Sequence, residues 1–216
     1  MQSSEQKTLE PSVPHDAKAE QIVAAARDVF LELGYAATSM DQVAQQARVS
    51  KTTLYTRFPS KEELYTAVIS AECERRGLYF APEMFDGMPL RDVLVQVGRR
   101  FTDLLWSDAA IRVHQSVVGE ATRMPVATRL YFQAGPEQAV ANFATLFTRL
   151  NERGLIATDD PAFVARQFLS AMQGGAYCQL VLGLCPPPTE EDRHAFIDKA
   201  VDLFYAVSRR DIGHAS

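Results

Sequence analysis

Apolar residues recur every three or four positions after residue 18, and this spacing constrains the fold more than any other feature of the sequence. Such spacing gives a helix one buried stripe, whereas a half-buried strand would alternate apolar and polar residues. The first stripe predicts a helix over residues 19–33, with apolar positions Ile22, Ala26, Val29, Phe30 and Leu33. Gly34 follows and can adopt the left-handed conformation that ends helices. Turn residues separate further helical segments as far as residue 210, which predicts an all-α fold of about nine helices.

Two short helices are predicted directly after the first one. Thr38 opens the segment TSMD, in which its hydroxyl would accept a bond from a first-turn amide and Asp41 would bond back to it. Ser50 is the predicted cap of the second short helix, and Ser60 is the predicted cap of a longer helix that follows. Two short helices joined by a turn at Arg48 are typical of a helix-turn-helix motif.

A basic segment coincides with these short helices, although the chain as a whole has a formal net charge of -5. No acidic residue lies between Asp41 and Glu62, and the charged residues there are Arg48, Lys51, Arg57 and Lys61. Positive charge on a helix-turn-helix favours DNA binding, because a protein that neutralises phosphates releases counterions. The alternative interpretation is that these four cations form an ordinary solvated helix face.

The second short helix would present one side to solvent. Winding it from Ser50 turns Leu54 and Phe58 inward and leaves an opposite side made of Lys51, Thr52, Tyr55 and Thr56. A major groove admits one helix, and lysine and threonine side chains can meet base edges there. Nearby hydroxyls and helix N-termini are candidate phosphate donors, at Thr38, Thr53, Tyr55, Ser60 and Lys61.

Composition limits the other classes of function. The 216 residues are 47% hydrophobic, which is enough for a sizeable core. No apolar run reaches the ~18 residues of a membrane span, and the polar start has no apolar core like that of a secretory signal. We therefore expect a cytoplasmic protein with a disordered tail over residues 1–18. Three cysteines without CxxC spacing and four scattered histidines predict no disulfide, no metal site and no cofactor.

The segment TSMDQVAQQARVSKTTLYTRFPSKEELY resembles the N-terminal domain of TetR/AcrR-type bacterial transcriptional regulators, and FLELGYAATSM before it fits the same pattern. The C-terminal part is similar to the AefR-like branch in FQAGPEQAVANFATLF, GLIATDDPAFVARQFLSAMQGG and FIDKAVDLFY. The resemblance implies a three-helix DNA-binding domain over residues 19–64 and a helical ligand-binding and dimerisation domain over residues 65–216. It also implies a repressor that a small molecule releases from DNA.

The resemblance assigns roles to individual residues of the basic segment. By analogy, Lys51, Thr52, Tyr55 and Thr56 enter the groove, and the DNA backbone is contacted by Thr38, Thr53, Arg57 and Lys61. The family often has glycine in the turn where this chain has Arg48. A left-handed arginine would cost about 1 kcal/mol. Either a phosphate contact by Arg48 offsets this cost, or the turn differs slightly.

Two C-terminal helices predict a shared four-helix bundle, and hence a homodimer. Adjacent Gly174 and Gly175 lie in the middle of one of them, where each costs nearly ~1 kcal/mol relative to alanine. Close packing of another backbone, a kink beside a ligand or a tolerated flaw would each explain them. The candidate interface is Gly174, Gly175, Cys178, Leu182, Phe196, Ala200, Leu203 and Phe204. Such a dimer would bind a palindromic operator with half-sites about one helical turn, ~34 Å, or a multiple of that apart.

Aromatic residues crowd between the DNA-binding domain and the last two helices, more than a thin bundle needs. This abundance predicts an apolar ligand cavity. The candidate lining residues are Phe101, Leu105, His114, Val117, Phe143, Phe147 and Met172. Most aromatics in such a region belong to the core, and His114 between apolar neighbours is more often a satisfied core histidine than a ligand anchor.

Other functions remain open at this point. An activator of the same architecture has the same sequence features, because the sign of regulation depends on where the operator lies. An all-α enzyme or ligand carrier without operator binding lacks support, since no nucleophile elbow or glycine-rich phosphate loop is present. Cys178 could be a reactive thiol in a redox sensor, although a buried structural cysteine is the simpler interpretation.

Overall fold

The computed structural model describes residues 16–208, with side chains as far as residue 206, and these residues form ten α-helices and no β-strand. The helices are α1 (Ala17–Ala37), α2 (Met40–Gln46), α3 (Lys51–Arg57), α4 (Lys61–Arg75), α5 (Leu90–Leu105), α6 (Asp108–Glu120), α7 (Pro125–Phe132), α8 (Gln138–Glu152), α9 (Pro161–Val181) and α10 (Glu190–Ser208). A π-helical turn, Gln133–Glu137, joins α7 to α8 without a break. If α7 and α8 are counted as one, the described residues contain nine separate α-helical segments. The predicted all-α fold is confirmed. Residues 1–15 of the predicted tail lie outside the described residues.

The helix ends show which local predictions hold. Ser50 and Ser60 each accept a bond from the amide three residues later, at 3.0 and 3.1 Å, as predicted. Gly34 has a positive φ of 76° near the end of α1, also as predicted. The predicted cap at Thr38 is wrong, because Ser39 caps α2 in a reciprocal pair with Gln42. Both residues can cap a helix and both have a suitable partner three positions on, so the sequence pattern was ambiguous by one residue.

We call α1 to α3 the head and α5 to α10 the body, with α4 between them. The apolar core of the head is built on Ile22, Val43 and Leu54, one from each helix and each fully buried. The same apolar cluster continues through Val68 of α4 and reaches Ala127 of α7 in the body. The head and the body therefore share a packed core through α4.

A second apolar cluster fills the body between α5, α8, α9 and α10. Phe168 of α9 lies at its centre, with ring centroids 5.9 Å from Phe143, 5.7 Å from Phe147 and 5.2 Å from Phe204. Aromatic rings at these separations add to the stability gained from burial alone. This cluster fixes α9 against its neighbours.

The middle of α9 is kinked at Gly174, whose φ of 59° and ψ of 176° are not helical. These angles lie in a region that glycine alone adopts readily. A Cβ atom at Gly174 would also lie 2.6 Å from Cζ of Phe196 on α10. The glycine is therefore explained by a kink and by the close approach of a side chain of the same chain, whereas Gly175 has open space around it.

Replacement of Gly174 by alanine is expected to lower the free energy of unfolding by about 2 kcal/mol or more, because it combines backbone strain with a clash against Phe196. Urea unfolding followed by circular dichroism at one fixed protein concentration measures this change.

Gly119→Ala is the matched control. Gly119 is helical and exposed in α6, and no atom lies within 4 Å of a Cβ built there. Alanine at this position should leave stability unchanged or raise it by up to ~1 kcal/mol. Equal effects of the two substitutions would contradict the role given to Gly174.

Candidate DNA-binding surface and ligand cavity

One side of α3 is exposed, and it is the side that the sequence predicts. Leu54 is fully buried and Phe58 is 6% exposed, which fixes the rotation of the helix in the head. The opposite, exposed side carries Lys51, Thr52, Tyr55 and Thr56. Thr53 is half-buried, and its hydroxyl lies 2.8 Å from that of Ser50. A surface of hydroxyls and one ammonium offers donors to both base edges and phosphates.

The turn between α2 and α3 has a left-handed residue at Arg48, with φ of 53°. The amide of Val49 donates to the carbonyl of Ala44 at 3.0 Å, and this bond closes the turn. A non-glycine residue in this conformation costs about 1 kcal/mol. The Arg48 side chain is exposed beside α3, where it adds positive charge to the same surface.

Two cations of the basic segment are paired with acids from outside it. Lys51 Nζ lies 2.7 Å from Oδ2 of Asp41, and Arg57 Nη2 lies 2.6 Å from Oδ2 of Asp16. The Arg57 side chain is 31% exposed, less than half the value of 66% for Lys51. The Asp16 carboxyl has a lowered pKa, because it accepts bonds from the Lys18 amide and the Arg57 guanidinium. To contact DNA, both side chains would have to leave these carboxylates and bind phosphate or base edges instead.

Lys61 and Thr38, two predicted phosphate contacts, take part in bonds within the protein. Lys61 Nζ donates to the carbonyl oxygens of Tyr35 and Thr38, at 2.9 and 3.0 Å, and lies 4.4 Å from the Tyr35 ring centroid. Thr38 is 3% exposed, and its hydroxyl donates to the Gly34 carbonyl at 2.7 Å. These side chains tie the start of α4 to the end of α1, and their assignment to the DNA backbone stays a prediction.

A cavity of about 380 Å³ lies where the head, α4 and the body meet. Its lining residues come from α1, α4 to α9 and the segment after α4, and most are apolar, including Phe30, Leu31, Val68, Ile69, Leu78, Phe101, Leu104, Leu105, Val113, Phe132 and Leu169. Its polar lining residues are Arg27, Tyr65, Glu72, Cys73, Tyr79, Tyr131, Arg166, Ser170 and Gln173. An apolar cavity with a few polar groups is typical of small-molecule sites.

The predicted lining residues divide between this cavity and the core. Phe101 and Leu105 line the cavity. Phe143, Phe147 and Met172 do not line it and are fully buried in the body core.

Two more predicted lining residues lie outside the cavity. Val117 is half-buried on α6 and is not part of the lining. His114 is in the layer behind it, with Nδ1 3.3 Å from the hydroxyl of the lining residue Tyr131. Burial lowers the pKa of His114, and burial together with neighbouring ionisable groups raises that of Tyr131.

Sequence patterns missed the α1 and α4 side of the cavity. Glu72 of α4 is 14% exposed and receives three guanidinium groups. Arg27 Nε of α1 lies 3.2 Å from it, Arg75 Nη2 lies 2.6 Å away and Arg76 Nε lies 3.3 Å away. Burial by itself raises the pKa of Glu72, but the three guanidiniums outweigh that effect and hold the pKa below its usual value. This cluster joins the head to α4 at the cavity.

Some of the candidate interface residues are exposed, and others are partly covered by their own chain. Leu182 is 64% exposed and Leu203 is 70% exposed, and Gly175 and Cys178 are exposed as well. In contrast, four candidates are partly covered by their own chain, namely Gly174, Phe196, Ala200 and Phe204. Phe196 packs against Gly174 and lies 5.3 Å from the Trp106 ring.

None of the helices between residues 16 and 208 is long and apolar enough to cross a membrane. Within the same range, no three His, Cys, Asp or Glu side chains are arranged to hold a metal ion.

Comparison with known families and proteins agrees with this architecture. The family model described as "Bacterial regulatory proteins, tetR family" matches residues 22–68. The model described as "AefR-like transcriptional repressor, C-terminal domain" matches residues 92–208. The HTH-type transcriptional activator FasR of Mycolicibacterium smegmatis is 47% identical over 57 residues, which are 26% of this chain and 26% of FasR. The chain thus matches about a quarter of that relative's length.

Two solved structures are similar over most of the chain. A TetR-family transcriptional regulator from Mesorhizobium loti has a TM-score of 0.75 at 26% identity, over 88% of this chain and 96% of that chain. The Flavonoid-responsive Regulator FrrA has a TM-score of 0.69 at 34% identity, over the same shares. These descriptions are of transcriptional regulators and not of enzymes. One family model matches more than half of the chain and FrrA is 34% identical over most of both chains, so this protein belongs to the TetR family of DNA-binding transcriptional regulators and has an AefR-like C-terminal domain.

Proposed function

We propose that this regulator is a cytoplasmic repressor that binds a palindromic operator as a homodimer and is released by a small apolar or amphipathic ligand. The observation that carries the proposal is the shared cavity, because Phe30 of the head and Val68 of α4 line it together with Phe101 of the body. A ligand there would touch the DNA-binding head as well as the body. The proposed domains are residues 19–64 for DNA binding and residues 65–216 for ligand binding and dimerisation.

The DNA contacts in this proposal centre on α3. Lys51, Thr52 and Thr56 would face base edges, and Lys51 would leave Asp41 to do so. The hydroxyls of Thr53 and Tyr55, together with the guanidinium of Arg57, would contact phosphates on either side. Arg48 would contact phosphate from the turn, which would offset the cost of its left-handed backbone.

The dimer in this proposal forms through α9 and α10. Support comes from apolar side chains that the single chain leaves in solvent, above all Leu182 and Leu203. Exposed apolar residues on two adjacent terminal helices are what a four-helix interface between subunits requires. A two-fold axis through that interface would place two copies of α3 in successive major grooves, ~34 Å apart or near a multiple of it.

Release from the operator would require that the ligand binds two conformations of the protein with different affinities. A ligand weakens operator binding only if it prefers the conformation that binds DNA less well, typically by 1–3 kcal/mol. In this chain α4 packs against both α1 and α7 and also lines the cavity. Displacement of α4 by a ligand would therefore change the position of the head and the spacing between the two heads.

An activator of the same architecture is the second candidate, and the name of FasR as a transcriptional activator favours it. The same DNA contacts serve either sign of regulation. The name of the flavonoid-responsive relative FrrA supports a small-molecule effector under both candidates.

The test of the proposal is selection of fragmented genomic DNA with the purified protein at two salt concentrations, followed by sequencing. Enrichment of a short palindrome that survives the higher salt supports a specific dimeric regulator. Binding that disappears with salt and enriches no sequence would contradict it. The position of the palindrome relative to the neighbouring promoter then separates repression from activation.

Substitutions on α3 should separate base contacts from phosphate contacts. Lys51→Ala and Thr52→Ala are expected to change which operator variants are preferred, with about 1–3 kcal/mol lost at the contacted base pair. Tyr55→Phe should weaken binding to all sequences by a similar factor. Binding of a randomised operator library, read by sequencing, measures both effects. Uniform losses for all three variants would remove Lys51 and Thr52 from the groove.

Lys61→Ala is unsuitable as a simple phosphate probe. Because its ammonium holds the carbonyls of Tyr35 and Thr38, the substitution should also lower the stability of the head.

A charged residue in the proposed interface should break the dimer. Leu182→Glu is expected to convert the protein to monomers at micromolar concentration, because an unpaired carboxylate would be buried between the subunits. Size-exclusion chromatography with light scattering measures the mass. Met84→Glu is the matched control, since Met84 is 58% exposed but belongs to the turn Pro82–Phe85 and not to α9 or α10. A dimer that persists in Leu182→Glu, or that is lost equally in the control, would contradict this interface.

A further inference from the structure

We propose that the cavity binds an amphipathic anion, with the apolar part of the ligand on the aromatic lining and its acidic group on Arg27 of the head. This inference rests on the proposed function and goes beyond it by naming the chemical class of the ligand and the residue that anchors it. Arg27 would then be the contact through which a bound ligand acts on the DNA-binding head directly.

The charges around the cavity favour an anion. Its charged lining residues are Arg27, Glu72 and Arg166. The single negative charge, on Glu72, already faces the guanidiniums of Arg27, Arg75 and Arg76. Three guanidiniums around one carboxylate leave an excess of positive charge beside an apolar space. An anion that enters this space is attracted by that excess, and the apolar lining reduces the screening by water.

Arg27 can change partners at small cost. Arg75 binds both oxygens of Glu72, through Nη2 at 2.6 Å and Nε at 3.1 Å, and Arg76 adds a third bond at 3.3 Å. If Arg27 turns from Glu72 to a ligand, the carboxylate keeps these two neighbours and is not left unpaired. The remaining partner of Arg27 is Asp28 at 3.4 Å, whose side chain is 62% exposed and therefore holds Arg27 weakly.

Arg166 is the competing anchor, and its surroundings fit the role less well. Its side chain is 51% exposed, and its nearest acid, Asp160, lies 3.9 Å away. The Arg27 side chain is 35% exposed and lies next to the apolar residues Phe30 and Leu31 of the same helix. Burial strengthens a charge-assisted bond, so the acidic group is expected at Arg27 and not at Arg166.

The position of Arg27 also explains how binding reaches DNA. Arg27 is on α1, whose residues Ile22 and Phe30 belong to the core of the head. Its bond to Glu72 fastens α1 to α4. A ligand that takes over Arg27 would loosen this connection while it fills the space between α1 and α4.

The experiment uses two fluorescent dyes of nearly equal shape on the full-length protein. Anilinonaphthalene sulfonate is the anionic amphiphile, and phenylnaphthylamine is the same molecule without the sulfonate. The proposal predicts that the sulfonate dye binds the unmodified protein at least as tightly as the neutral dye, despite its greater solubility in water. In Arg27→Gln the affinity for the sulfonate dye should fall about tenfold or more, with little change for the neutral dye.

Three control variants locate the effect. Arg91→Gln removes the same charge from α5, where Arg91 pairs with Asp198 and Asp202 away from the cavity, and should leave both affinities unchanged. Ala110→Trp fills the cavity and should weaken both dyes. Arg166→Gln should change the sulfonate affinity by less than twofold. Circular dichroism and urea unfolding confirm that each variant is folded.

Several results would overturn the proposal. The first is a tenfold loss of affinity for the sulfonate dye in Arg166→Gln instead of in Arg27→Gln. The second is an equal loss of affinity for both dyes in Arg27→Gln. The third is unchanged affinity for both dyes in Ala110→Trp. The effect on DNA is measured separately, as release of the selected operator fragment by the sulfonate dye. Retention of DNA despite the expected dye affinities would contradict the proposed ligand release and leave the anion site supported. Release by the sulfonate dye that is lost in Arg27→Gln would support both.

Discussion

The packing of α4 against both α1 and α7 is the contact on which the other features of this molecule depend. Val68 belongs to the same apolar cluster as Ile22 of the head and Ala127 of the body. Because packed interiors transmit displacement instead of absorbing it, a change at one end of α4 reaches the other. Polar bonds lie near both ends of this helix, where Lys61 donates to the carbonyls of Tyr35 and Thr38 at the end of α1 and Glu72 accepts from Arg27.

The basic segment illustrates how an acidic protein can keep a positive surface that is a candidate for DNA binding. Lys51 forms an ion pair with Asp41, and Arg57 forms one with Asp16. Exposed ion pairs of this kind contribute little to stability, so an approaching phosphate can replace the carboxylate at small cost. Such intramolecular partners lower the attraction to DNA of any sequence. The specific contacts proposed for α3 would then account for a larger share of the total binding.

The sequence predicted the features that depend on neighbouring residues. Periodicity predicted the helices, Ser50 and Ser60 cap the helices that they precede, and Gly34 adopts a positive φ at a kink near the end of α1. The error at Thr38 has the same local origin, since two adjacent residues could both cap α2. The exposed side of α3 followed from the burial of Leu54 and Phe58.

The cavity could not be predicted in this way, because its walls come from residues far apart in the chain. Phe101 and Phe143 both lie on apolar helix faces, yet one lines the cavity and the other is enclosed by Phe80 and Phe168. The difference depends on whether neighbouring helices fill the space beside the ring. Glu72 and Arg27 are 45 positions apart, and no local pattern pairs them. On α9, Ser170 lines the cavity, Met172 is buried and Ala171 between them is exposed. One helix therefore contributes to the core, to the cavity and to the exposed face, so a ligand that moved α9 would also move the face proposed to meet a second subunit.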